Sequence, residues 1–225
     1  MTTPPHDTLQ EAVAAARTDN EATHDTVIFD LGAVLIDWNP RNVFRTLIPD
    51  EAAMELFLTE ICGSIWNIEQ DAGRSFADAI AEAVGRHPGH EPLIRAYWER
   101  WEEMLAGPID GSVAILRQLH QAGTRLYALT NWSAETFPIA RRRFDFLALF
   151  DGIVVSGEER LVKPDPRIYH RLVDRYRVDP KRAVFIDDSA PNALAAAHYF
   201  GMHAHVFTDP ERLRADLVGL GFVLE

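Results

Sequence analysis

The chain has 225 residues, 47% of them hydrophobic and 25% charged, with a net charge of −12 at pH 7. This balance suits a globular protein with a sizeable core. It excludes a nucleic-acid surface, which needs clustered Lys and Arg, and argues against docking on an anionic membrane.

Residues 1–24 are polar and alanine-rich, and a short helix over Thr8–Arg17 is predicted within a frayed tail. They lack the basic start and apolar stretch of a signal peptide. No apolar window of membrane-spanning length follows, so a cytoplasmic location is expected. The first strand is predicted at Thr26–Phe29, and it runs into Asp30 within the stretch VIFDLGAVL. From Pro40 to Gly107-Pro108 the pattern is helical throughout, with helices predicted over Glu51–Ile61, Ser75–Arg86 and Glu91–Leu105. Ser75 and Asp78 have the spacing of a capping box at the second of these. Trp98 and Trp101, three residues apart, read as core of this segment. The lone cysteine, Cys62, also lies here, and it reads as a small core residue.

Beyond Pro108 helices and strands alternate. A helix over Ser112–Gln121 carries Val113, Leu116 and Leu119 at helical spacing and stops at Gly123. Strands follow at Leu126–Thr130 and Ile153–Ser156, with Arg141-Arg142-Arg143 between them as a solvated helix face. Asp165 can cap a helix that begins at Pro166. A strand at Ala183–Ile186, a helix over Pro191–Phe200 and a strand at Ala204–Phe207 complete the order. The alternation predicts an α/β fold: a Rossmann-like core with a five-stranded parallel sheet and helices on both faces. The core takes residues 25–39 and 108–225, and residues 40–107 form an inserted all-helical cap.

Ligands of open parallel sheets bind where the strands end, so the strand ends matter most. They carry Asp30; Thr130 and Asn131; Lys163, ahead of the helix at Pro166; and Asp187-Asp188. Singly, each is an ordinary turn or capping residue. Together, at one sheet edge, they make a chemical set. Crowded carboxylates repel unless a cation joins them, and hard oxygen donors suit Mg²⁺ with a substrate phosphate. A lysine and a hydroxyl suit the remaining phosphate oxygens. An aspartate can attack phosphorus to give an aspartyl phosphate.

The motifs FDLGAVL (Asp30), LTNWS (Thr130, Asn131), VKPDPRIY (Lys163) and FIDDSAPN (Asp187, Asp188, Asn192) resemble those of the haloacid dehalogenase superfamily of hydrolases, over about residues 26–207. The resemblance implies Asp30 as nucleophile and metal ligand, with the Gly32 carbonyl, Asp188 and Asp187 completing a Mg²⁺ site. It implies a phosphate held by Thr130, Asn131, Lys163 and the amides of Leu31 and Gly32, with Asn192 in an outer role. Phosphatases of this family usually carry a second Asp two residues after the nucleophile, as proton donor; here that position is Gly32. A leaving group needing little protonation, such as the sugar of a sugar 1-phosphate, would tolerate this loss.

The expectation is therefore a phosphomonoesterase acting on a small phosphorylated metabolite, as a monomer or homodimer. A metal-free 2-haloacid dehalogenase that uses Asp30 is the alternative, followed by a degenerate phosphate- or partner-binding member. Trp38, Trp66, Glu69, Asp71 and Arg74 lie in stretches that can face the crevice, and Asp37 is close enough in sequence to stand in as proton donor. His203 and His205 bracket the last strand without an evident ligand partner.

Overall fold

The computed structural model describes residues 24–224; the helix expected over Thr8–Arg17 lies outside them. A five-stranded sheet holds β1 (Thr26–Phe29), β4 (Arg125–Thr130), β5 (Gly152–Val155), β6 (Ala183–Asp187) and β7 (His203–Val206) in the order β5-β4-β1-β6-β7. Every pairing is parallel. All five expected strands are present, with ends moved by no more than one residue.

β1 is central and buried on both faces, as a parallel sheet requires. Val27 and Phe29 pack on one side with Leu126, Ala128, Val184 and Ile186. Ile28 packs on the other with Tyr127, Leu129 and Phe185. The helices that cover the sheet are α6 (Asp110–Gln121), α9 (Pro166–Tyr176), α10 (Ala190–Phe200) and α11 (Pro210–Gly219), with the short α7 (Phe137–Arg143) and α8 (Ser156–Glu159) between the first two of these. At α9, the Asp165 side chain accepts the Arg167 N–H and Pro166 takes the first turn, so the cap is the one the sequence predicts.

Between β2 (Ile36–Trp38) and β3 (Leu105–Pro108) the chain makes five helices. These are α1 (Arg41–Leu47), α2 (Glu51–Glu60), α3 (Ser64–Asp71), α4 (Phe76–Arg86) and α5 (Glu91–Glu99). Ser75 caps α4 by accepting the Asp78 N–H. Phe76, Ala79, Ile80 and Ala83 form its buried stripe. The segment encloses an aromatic core in which Phe76 packs on Trp98 at 4.7 Å and Trp66 on Tyr97 at 5.0 Å between ring centroids. Cys62 is buried in it, and burial pushes its thiol up to about 12, away from thiolate chemistry.

Two expectations need correction. The helix expected over Glu91–Leu105 stops at Glu99, a 3₁₀ turn spans Trp101–Met104, and Leu105 begins β3. β3 pairs antiparallel with β2, so residues 40–107 are not free of strand. Both strands are short, and β3 contains Gly107 and Pro108, which hid them from a pattern search.

The helical segment is tied to the sheet side at named points. The Glu135 carboxylate accepts the Phe76 N–H at 3.0 Å, capping α4 from across the chain. Ser156 Oγ donates to the Asp71 carbonyl at 2.6 Å and accepts the Trp132 N–H at 2.9 Å. Gly73 has φ +98°, and a Cβ there would stand 3.0 Å from Arg160 Cγ. Gly157 faces the chain so closely that a Cβ would lie 2.4 Å from the Ala134 nitrogen. Two glycines thus let three loops meet backbone to backbone.

Candidate active site

The carboxyl edge of the sheet gathers the residues singled out by their position at strand ends. Lys163 is at the centre: its side chain is fully buried, and Nζ lies 3.0 Å from Asp30 Oδ2 and 2.7 Å from Asp187 Oδ2. It also donates to the Leu129 carbonyl at 2.8 Å. A buried ammonium without such partners would lose its proton. Burial does press its pKa down, but Asp30 and Asp187 outweigh burial and raise it. Burial raises the Asp30 carboxyl, with Lys163 opposing it.

Asp30 is held at both oxygens, because Oδ1 accepts the Leu31 N–H at 2.7 Å. Asp187 has partners at both oxygens: Oδ2 faces Lys163, and Oδ1 accepts the Ser189 N–H at 2.9 Å and the Asn192 amide at 3.0 Å. Asp188 is exposed beside them. Oxygens from Asp30, Asp187 and Asp188 lie within 4.8 Å of one another, a hard-donor cluster that can hold a divalent cation.

Thr130 and Asn131 differ in what they leave free. Thr130 Oγ1 is buried and has no hydrogen-bond partner among the described residues, so it wants an acceptor or donor from a ligand. The Asn131 side chain is committed to the Lys163 main chain, with Nδ2 donating to its carbonyl at 3.0 Å and Oδ1 accepting its N–H at 2.8 Å. It fixes the lysine loop, where the Lys163-Pro164 bond is cis.

A cleft opens beside this cluster between the helical segment and the sheet, with Gly32, Asp71, Asn131 and Ser133 in its polar wall. Trp38, Phe76, Trp101 and Trp132 form the apolar wall. The indole nitrogens of Trp38 and Trp132 are buried without partners among the described residues. Trp101, expected as core alone, therefore also faces the cleft. Trp66 packs inside the helical segment, while Arg74 pairs with Glu69 and Glu82 on its outer surface. Asp37 is exposed on β2 and does not line the cleft. At the far edge, His203 and His205 both contact the Asp216 carboxylate, at 3.3 and 2.8 Å.

A family model described as haloacid dehalogenase-like hydrolase matches residues 24–199. This chain belongs to that family. The haloacid dehalogenase-like chain is 28% identical over 177 residues to the sesquiterpene phosphatase astK of Aspergillus oryzae, covering 77% of this chain and 85% of that protein. It is 34% identical over 218 residues to mouse acyl-CoA dehydrogenase family member 10, covering 90% of this chain but only 20% of that protein. Among solved structures, an HAD family enzyme of Bacteroides thetaiotaomicron, bt-2542, in complex with magnesium and inorganic phosphate, superposes with a TM-score of 0.64 at 20% identity, covering 83% of this chain and 95% of that one. Among the described residues, no helix is long and apolar enough to cross a membrane.

Proposed function

We propose that this hydrolase is a Mg²⁺-dependent phosphomonoesterase of a small phosphorylated metabolite, working through an aspartyl phosphate at Asp30. The observation that carries the reading is Asp30 held rigidly between the Leu31 amide and a buried Lys163, beside the acid pair Asp187-Asp188. An acid cluster of this kind suits a cation and a phosphate; without a cation it repels an anionic haloacid.

Asp30 attacks phosphorus with its oriented carboxylate. Lys163 and the unpartnered Thr130 hydroxyl donate to the transferring oxygens, and losing one such preorganised donor typically costs about 10²–10³ in rate. Asn131 keeps Lys163 in place by its two bonds to the lysine backbone. Asp30, the Gly32 carbonyl and Asp188 are the residues that would hold Mg²⁺, with Asp187 behind them supporting Lys163. A Mg²⁺ ion held there would neutralise phosphoryl charge.

Position 32 itself carries no acid, and a sugar 1-phosphate is the first substrate class to assay. The reading is tested by phosphate release from sugar and acyl phosphates with and without Mg²⁺, with Asp30→Asn as the blank. Metal-dependent release lost in the variant supports it; preference for glucose 1-phosphate over glucose 6-phosphate supports the anomeric class. The absence of an acid at Gly32 also fits 2-haloacid dehalogenase chemistry. Metal-independent chloride release from 2-chloropropionate, with no phosphatase activity, would replace the first reading with that one.

A further inference from the structure

We propose that Asp71, at the end of α3, is the general acid and base of this site: it protonates the leaving oxygen and then takes a proton from the attacking water. The inference rests on the phosphatase reading above and supplies the group that Gly32 lacks.

The geometry isolates this residue. Asp71 is the one carboxylic acid among the described residues that line the cleft, and Gly32 lines the same cleft. A Cβ built on Gly32 meets nothing within 4 Å, so the place where the family's phosphatases usually carry their acid is open space. Asp71 comes to the cleft from the helical segment, 39 residues further along the chain.

The surroundings hold it there. Asn67 Nδ2 donates to Asp71 Oδ2 at 3.1 Å, and the Tyr97 hydroxyl in turn donates to Asn67 Oδ1 at 3.3 Å. The Ser133 N–H donates to the carboxyl from the sheet side. The Asp71 carbonyl is locked by Ser156 Oγ at 2.6 Å. None of these partners is a proposed metal ligand. Its hydrogen bonds come from amide donors only, and it faces the aromatic wall of the cleft.

The charged and titratable groups around it are Asp30, Lys163 and Tyr97. Burial raises the Asp71 carboxyl most; the Ser133 amide lowers it, Asp30 raises it, Lys163 lowers it, and the result is about 7. A carboxyl poised there can give a proton and take one back near neutral pH.

The steps balance. Asp30 forms a bond to phosphorus as the bond from phosphorus to the leaving oxygen breaks; that oxygen keeps the electron pair and receives the Asp71 proton. Water then attacks the phosphorus of the aspartyl phosphate and gives a proton to the Asp71 carboxylate. Phosphate leaves, the Asp30 carboxylate is restored, and Asp71 is protonated again.

The test is a series of phosphate monoesters whose leaving groups run from alkyl alcohols to p-nitrophenol, assayed with the Mg²⁺-loaded wild type, Asp71→Asn, and Asp71→Asn combined with Gly32→Asp. Asp71→Asn is expected to lower turnover of the alkyl esters by about 10²–10⁴-fold and that of p-nitrophenyl phosphate far less. The steeper dependence on leaving-group pKa is the signature that a merely structural role would not produce. Gly32→Asp is expected to restore turnover, because the open position accepts an acid. An equal loss across the series, or no loss, overturns the assignment while the phosphatase reading stands. No phosphate release from any ester by the wild type overturns both. Should Asp71→Asn fail to fold, the wild type decides alone. A shallow dependence on leaving-group pKa supports proton donation from the enzyme, and a steep one overturns it.

Discussion

Replacing Lys163 by methionine keeps the length and apolar stem of the side chain and removes its charge. Two carboxylates then face each other across a buried gap that the ammonium had filled at 3.0 and 2.7 Å. With an effective dielectric of about 20, Coulomb's law gives roughly 5–6 kcal/mol of gross attraction for each contact. Desolvation of the three groups offsets most of this, and breaking a buried ionic cluster by removing one partner typically costs about 3–5 kcal/mol. The variant is therefore expected to lose about that much stability in urea at pH 8 with chelator present. The pH sign follows from linkage. Burial raises the Asp30 carboxyl and Lys163 opposes it, so without Lys163 the folded protein holds Asp30 further above its unfolded pKa and folding takes up a proton. Stability of the variant then rises as pH falls, and the deficit narrows by pH 5. A deficit under about 1 kcal/mol at pH 8, the scale of an exposed pair, and unchanged at pH 5, would refute the idea that Lys163 holds two ionised acids together.

Three further predictions use other parts of the site. Asp71→Asn removes a carboxyl raised from the ordinary 3.8 to about 7, an interval that costs the wild type up to about 4 kcal/mol once the group must ionise. The variant's stability relative to wild type should climb between pH 5 and pH 8 in chelator, and a flat difference would show that burial does not hold that proton. Ser156→Ala leaves the Asp71 carbonyl and the Trp132 N–H buried without a partner; a loss of about 1–3 kcal/mol in urea midpoints is expected, with kcat falling more than KM rises. Asp188→Asn removes the exposed carboxylate of the cluster, so it should raise the Mg²⁺ concentration needed for half activity at least ten-fold while leaving metal-free stability within about 0.5 kcal/mol of wild type.

How much was readable in the sequence follows from which forces place each residue. Asp30, Thr130 and Asp187 come at or directly after apolar strands, so local periodicity and the parallel-sheet rule bring them to one edge without further information. Lys163 needed more, since it lies in a loop; its position depends on Asn131 clamping its backbone, a pairing that no spacing predicts. Asn131 shows the converse. Its place in the set was legible, but the bonds its amide makes to the Lys163 main chain were not, because hydrogen-bond partners are chosen by tertiary geometry. β2 and β3 escaped because each is short and the two meet only across a long separation, Ile36 opposite Pro108 and Trp38 opposite Leu105.

Asp71 marks the boundary most clearly. In sequence it is one of several polar residues in WNIEQDAGR, and Glu69, two positions away, looked equally suited to face the crevice. Helical geometry separates them: residues two apart on α3 point to different sides, so Asp71 turns to the cleft while Glu69 pairs with Arg74 outside. The deciding contacts are made by Ser133 and Ser156, more than 60 residues downstream, at a junction that Gly73 and Gly157 make passable. The proton donor absent from the strand end at Gly32 is thus carried on a separate element whose docking sets its position. Protonation of the leaving group then depends on that docking, which places the control of catalysis in the Asp71–Ser156 junction as much as in the cluster around Asp30.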